Sequence, residues 1–161
     1  MEEKTNVMRM LDKKKIDYKS YYYGDTDAVS GEEVAAVLGQ DHRQVFKTLV
    51  AVGTTKTHYV FVIPVRKTLD LKKAAKSVGE KKIEMIKQKD LLPLTGYVHG
   101  GCSPIGMKKF FRTTVDKAAE NFETMIFSAG KIGYQVEMPV ASLAEMIRFT
   151  LSDVTSDENE Q

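Results

Sequence analysis

The 161 residues include 42% hydrophobic and 29% charged side chains and carry a formal net charge of +2, a balance that fits one globular domain able to bury a core without cross-links. No apolar run reaches the roughly 20 residues that span a bilayer, and the start Met1 to Lys4 lacks the apolar segment of a signal peptide. The single cysteine, Cys102, excludes an intrachain disulfide and a cysteine-rich zinc site, so a cytoplasmic protein with no membrane association and no metal or other cofactor is expected.

In chain order, Thr5 caps a first predicted helix to about Lys15, with Val7, Met8 and Leu11 as its buried stripe. The tyrosine-rich run Ile16 to Tyr23 reads as a strand. Ser30-Gly-Glu-Glu33 has capping-box spacing, and Gly39 stops the helix that follows. Val45 to Val52 is apolar on both faces and reads as a central strand, joined by a short loop to an antiparallel strand from His58 to Val65. Asp70 caps a helix over 71–78 that Gly79 ends. Lys82 to Ile86 suggests a short strand, and Pro93 limits any turn of helix in 87–92. Tyr97 to His99, Phe111 to Val115, Thr124 to Ser128 and Ile132 to Met138 read as further strands. Pro139 and Ser142 suit the start of a last helix with Leu143, Met146, Ile147 and Leu151 on its stripe. Residues 1–155 are expected to form one domain, and 156–161 a polar, disordered tail. Strands outnumber helices and most links are short, which favours α+β or mixed α/β with a mixed sheet over a doubly wound fold.

Two features carry chemistry. Lys47 interrupts the central strand on the face of Val45, Leu49 and Ala51, where an ammonium must either extend to water or meet a partner. The run from Thr95 to Lys109, TGYVHGGCSPIGMKK, places Gly100 and Gly101 where a ligand can approach the backbone, and Pro104 and Gly106 close the turn. Main-chain N–H groups there, next to Lys108 and Lys109, suit a phosphate, a carboxylate or a developing oxyanion. Ser103 lacks the spacing of a nucleophile elbow. His42, His58 and His99 show no metal-binding or catalytic spacing. Cys102 is either a thiol with a lowered pKa or a small side chain packed beneath the loop. Ser128-Ala-Gly-Lys131 is a turn with phosphate-loop flavour but without the P-loop spacing. The lysine clusters and the tyrosines from Tyr18 to Tyr23 read chiefly as solvated and packed faces. Three of the acids lie in 157–160, leaving about +5 on the rest of the chain, a modest basic bias.

Val45-Phe-Lys-Thr-Leu49, the GGxSPxG loop with Lys108 and Lys109, Ser128 to Lys131, and Val136-Glu137 occur in the same order as in the YbaK/EbsC family, which this chain resembles over residues 5–154. That resemblance implies a single domain with a curved mixed β-sheet flanked by helices. It also implies a trans-editing aminoacyl-tRNA deacylase that clears cysteine from tRNA(Pro), related to the editing domain of prolyl-tRNA synthetase. On it, Lys47 matches the essential lysine. Gly100, Gly101, Ser103, Pro104 and Gly106 match the substrate loop that also carries Cys102, Tyr23 matches a pocket tyrosine, and Gly130 and Lys131 fall in a second contact turn. Ala129 stands where relatives have glycine, Gln135 where some have aspartate, and Cys102 where relatives have aliphatic residues. The implied partners are aminoacyl-tRNA and prolyl-tRNA synthetase, and the implied attacking group is the substrate's own thiol, with bound water as the alternative. A noncatalytic tRNA- or nucleotide-binding module, alanine specificity and a Cys102-based enzyme are the competing expectations.

Overall fold

The computed structural model describes residues 3–157. In chain order it forms α1 (Asn6–Lys13), β1 (Lys19–Tyr22), α2 (Gly31–Leu38), β2 (Phe46–Gly53), β3 (His58–Pro64), β4 (Thr68–Leu69), α3 (Leu71–Val78), β5 (Ile83–Met85), α4 (Leu91–Thr95), β6 (Arg112–Asp116), β7 (Thr124–Ser128), β8 (Tyr134–Pro139), β9 (Phe149–Ser152) and β10 (Thr155–Ser156).

Five strands form a mixed sheet in the order β5-β2-β3-β6-β9. β2 pairs antiparallel with β3 and β5, whereas β3–β6 and β6–β9 are parallel. A second sheet, β1-β8-β7, is antiparallel, and a parallel bridge between Val45 and Ile126 ties it to the start of β2. The fold is thus mixed α/β in a single domain, as the sequence predicts. Among the described residues no helix is long and apolar enough to cross a membrane.

β2 and β3 are apolar on both faces because both faces are covered. Phe46, Val50, Val60 and Val62 pack with Val7, Met8 and Leu11 of α1 and with Phe127 and Val136 of the second sheet. On the opposite face, Ala51, Phe61 and Ile63 pack with Ala74, Ala75 and Val78 of α3. The predicted caps form: Thr5 Oγ1 accepts from Met8 N–H, Ser30 and Glu33 make a reciprocal capping box, and Asp70 accepts from Lys72 and Lys73 N–H.

Several local expectations fail. Tyr97 to His99 is irregular rather than a strand. Thr95 Oγ1 accepts from Tyr97 N–H at 3.0 Å, and Gly101 N–H donates to Val98 carbonyl at 3.0 Å, so the segment closes on itself instead of pairing with a neighbour. Pro93 lies inside α4, where it is tolerated because a first-turn N–H has no intrahelical partner. The last predicted helix is a short 3-10 segment, Val140–Glu145, followed by β9. The stripe Leu143, Met146, Ile147, Leu151 fits a helix, but Phe149 to Ser152 instead satisfies the open edge of β6 in a parallel ladder. The predicted tail begins with a structured residue, since Thr155–Ser156 pairs with Thr68–Leu69. Positions 158–161 lie outside the described residues.

Asp116, buried at the end of β6, fixes this C-terminal course. Its carboxylate accepts from Ala118 N–H and from the buried Val154 N–H, both at 3.1 Å. Asp116→Ala leaves the Val154 donor without a partner and should cost about 2–3 kcal/mol of unfolding free energy, read by urea denaturation.

Candidate active site

β2 delivers Lys47 to the wall of a cavity of about 290 Å³. Also lining it are Tyr23 at the end of β1, the N-terminal turn of α2, the loop residues His99, Gly100 and Cys102, and Ser128 and Gln135 from the second sheet. Several separate chain segments therefore share one cavity with Lys47. Gly31 permits this closure, since a Cβ at that position would lie 2.5 Å from Val65 Cγ1.

The Lys47 ammonium makes no hydrogen bond or ion pair among the described residues. Burial pulls its pKa below the ordinary lysine value, and the Glu32 charge at the cavity edge opposes that shift without cancelling it. Glu32 itself is paired with Arg66 at 3.2 Å, and Arg66 Nη1 lies 3.1 Å from His42 Nε2. The cavity thus presents a partly desolvated cation whose nearest identified counter-charge is already shared with a second cation.

The start of β2 is held from the other side. Glu137 on β8 accepts hydrogen bonds from the Tyr21 hydroxyl at 2.5 Å and Thr124 Oγ1 at 2.6 Å. Gln44, three residues before Lys47, donates to the Thr124 carbonyl at 3.0 Å. The Glu137 bond pushes the Tyr21 hydroxyl up to about 12, which keeps it a donor. This explains Glu137 within the motif: it anchors the strand that carries Lys47.

The loop supplies donors unevenly. Gly101 N–H is spent on Val98 carbonyl, whereas the N–H groups of Gly100 and Cys102 have no hydrogen-bond partner among the described residues. Gly100 adopts φ +89°, in the region that favours glycine, and Gly101 is held tightly, its would-be Cβ 3.1 Å from Ile132 N. Cys102 lines the cavity, but its thiol is buried and pushed up to about 12, the opposite of an activated nucleophile.

Of the other candidate residues, Tyr23 is buried at the cavity, its N–H bonded to Gly133 carbonyl at 2.8 Å. Ser103, Pro104 and Gly106 lie on the loop's far side. Ser103 is fully buried, with Oγ accepting from Ile105 N–H at 3.3 Å, and Gly106, at φ +81°, leaves room for the Tyr97 hydroxyl. Gly130 and Lys131 are not brought to the cavity. Gly130 packs under Tyr97 and Val7, and Lys131 pairs with Glu3 and sits 5.7 Å above the Tyr134 ring. From the same turn it is Ser128 that reaches the cavity. The sequence reading missed the α2 N-terminus as a wall. Its capping box locates the helix, but only the fold brings it to the Lys47 cavity.

A model of the aminoacyl-tRNA editing domain matches residues 25–146. The chain belongs to that family. It is 44% identical over 158 residues to EbsC of Enterococcus faecalis, named as a candidate Cys-tRNA(Pro)/Cys-tRNA(Cys) deacylase, with 98% of this chain and 96% of that protein covered. This bears out the YbaK/EbsC resemblance. Two solved structures share the editing-domain fold. One, named as a candidate trans-editing enzyme for prolyl tRNA synthetase, matches with a TM-score of 0.80 at 21% identity over 93% of this chain and 94% of that one. The other, a hypothetical protein, matches with a TM-score of 0.84 at 21% identity over 93% and 99%. At that identity the likeness concerns the fold alone.

Two outcomes follow from the site's electrostatics. Because the Lys47 pKa is lowered in the fold, the folded state binds fewer protons than the unfolded chain, and stability rises as pH climbs from the folded value towards the ordinary 10.5. Lys47→Met, which keeps the stem and removes the charge, should raise Tm at neutral pH, and the gain should shrink as pH rises; calorimetry across pH reads both. Native Cys102 should resist iodoacetamide at pH 8 and react once the protein is unfolded, as read by mass spectrometry.

Proposed function

We propose that this editing-family protein is a trans-acting aminoacyl-tRNA deacylase that removes cysteine from tRNA(Pro) in the cytosol, through cleavage assisted by the substrate's own thiol. The observation that carries this reading is the partly desolvated Lys47, which lines one cavity together with Gly100 and Cys102, whose N–H groups have no partner among the described residues, with no activated protein nucleophile beside it. Near-full-length identity to EbsC supports the substrate class.

An aminoacyl ester is already activated, so holding it and stabilising its oxyanion accounts for much of the task. In this reading the Gly100 and Cys102 N–H groups receive the ester carbonyl oxygen as it becomes anionic. Lys47 binds a phosphate or ribose oxygen of the terminal nucleotide and stabilises the developing charge as a point cation. The substrate's sulfur attacks the ester carbon. A carbon–sulfur bond forms, the carbon–oxygen bond to the ribose breaks, and the thiol proton ends on the ribose hydroxyl, leaving a cyclic thioester. Alanyl and prolyl esters carry no such thiol, which makes selection chemical rather than steric. The buried, high-pKa Cys102 disfavours a protein-thiol mechanism. Prolyl-tRNA synthetase would supply the choice of tRNA.

Cys-tRNA(Pro) and Ala-tRNA(Pro) assayed side by side test this. Wild type should deacylate the cysteinyl ester selectively, Lys47→Ala should lose at least about 100-fold in rate, a scale set by the loss of one oxyanion-stabilising group, and Cys102→Ala should retain activity. Preference for the alanyl ester would move the protein to another specificity, and no turnover by folded wild type would favour a binding module.

A further inference from the structure

The loop that walls the Lys47 cavity has a second face. Gly100 and Cys102 line the cavity, whereas Pro104 and Gly106 line a separate groove of about 640 Å³. The other walls of the groove include Lys108, Lys109, Phe110, Phe111, Glu145 and Arg148. Phe110 is 72% exposed, between Lys109 on one side and Phe111 and Arg112 on the other. The ring's apolar area is left largely unburied in the fold and is open to a ligand.

The groove's charges are also uncompensated. Lys109 and Arg148 make no ion pair or hydrogen bond among the described residues, and Lys108 Nζ reaches only the Pro93 carbonyl, at 3.3 Å. Three cations face a single carboxylate, Glu145. Cations that hold no counter-ion, beside an exposed aromatic ring, match a polyanion with accessible base faces. A protein partner would be expected to meet a groove richer in apolar contact and poorer in lysine. Cys102 and Gly106 are four residues apart, so the cavity wall and the groove wall lie within about 14 Å of each other along the chain. The two walls are therefore close enough for a ligand of nucleic-acid length to reach from one to the other.

We propose that this groove binds the acceptor end of the tRNA whose 3′ terminus enters the Lys47 cavity. Lys108, Lys109 and Arg148 contact phosphates, and Phe110 stacks on an unpaired base. The inference rests on the deacylase reading for the identity of the nucleic acid, and its test does not depend on turnover.

The test is equilibrium binding of uncharged tRNA(Pro) across a salt series. Wild type should bind more weakly as salt rises. Phe110→Ala should lower affinity about 5- to 100-fold. Lys109→Ala with Arg148→Ala should flatten the slope of log affinity against log salt by about 1.4–1.8. Lys72→Ala with Lys76→Ala, on α3, should change neither, and circular dichroism should confirm that all variants fold. Groove variants that bind like wild type overturn the proposal, and so does loss of prolyl-tRNA synthetase binding with tRNA affinity intact, which would make the groove a protein interface. If the groove variants lose tRNA affinity while wild type deacylates nothing, the groove stands as a tRNA site and the deacylase reading fails.

Discussion

A lysine ammonium held on a central strand, partly out of water and without an ion pair among the described residues, is the constraint around which the domain is built. A charge drawn out of water without a partner costs free energy, so the surrounding fold must hold it in place. The five-stranded sheet does this by covering both faces of β2: α1 and the second sheet pack against one, α3 against the other. The backbone from which Lys47 projects is fixed, because its strand neighbours Phe46, Val50 and Ala51 are buried in the core.

The second sheet adds precision at one end of β2. Glu137 gathers Tyr21 and Thr124, and Gln44 joins the same group just before the strand starts. Charge-assisted bonds of this kind are stronger than neutral ones. They fix the point from which Lys47 projects, while the Val45–Ile126 bridge ties the two sheets together. The same sheet contributes Ser128 and Gln135 to the cavity, so stability and site geometry come from one set of contacts.

The glycine-rich loop divides its labour. Gly101 closes the turn and Gly106 makes room for the Tyr97 hydroxyl, while Gly100 and Cys102, which line the cavity, keep N–H groups without a partner among the described residues. A single short segment can therefore be rigid and still offer donors. Burial of Cys102 belongs to the same design, since a thiol pushed up to about 12 stays protonated and leaves chemistry to the substrate.

Much of this was legible in the sequence. Hydrophobic patterning placed β2, β3 and three capped helices, because both signals depend on residues adjacent in the chain. Lys47 stood out as a cation inside an apolar run, and GGxSPxG as a donor-rich turn. The sequence by itself thus determined these local elements, a mixed sheet flanked by helices and the two chemical features. Tertiary structure decided what no local pattern contains. Residues 97–99 became a self-closed loop because Thr95 and Gly101 bond within it, and 149–152 became a strand because the edge of β6 needed a partner. Ser128, rather than Gly130 or Lys131, faces the cavity, and the α2 N-terminus forms part of its wall. Those outcomes depend on which distant backbone groups must be paired and which surfaces must be covered, a condition met only once the whole chain has folded.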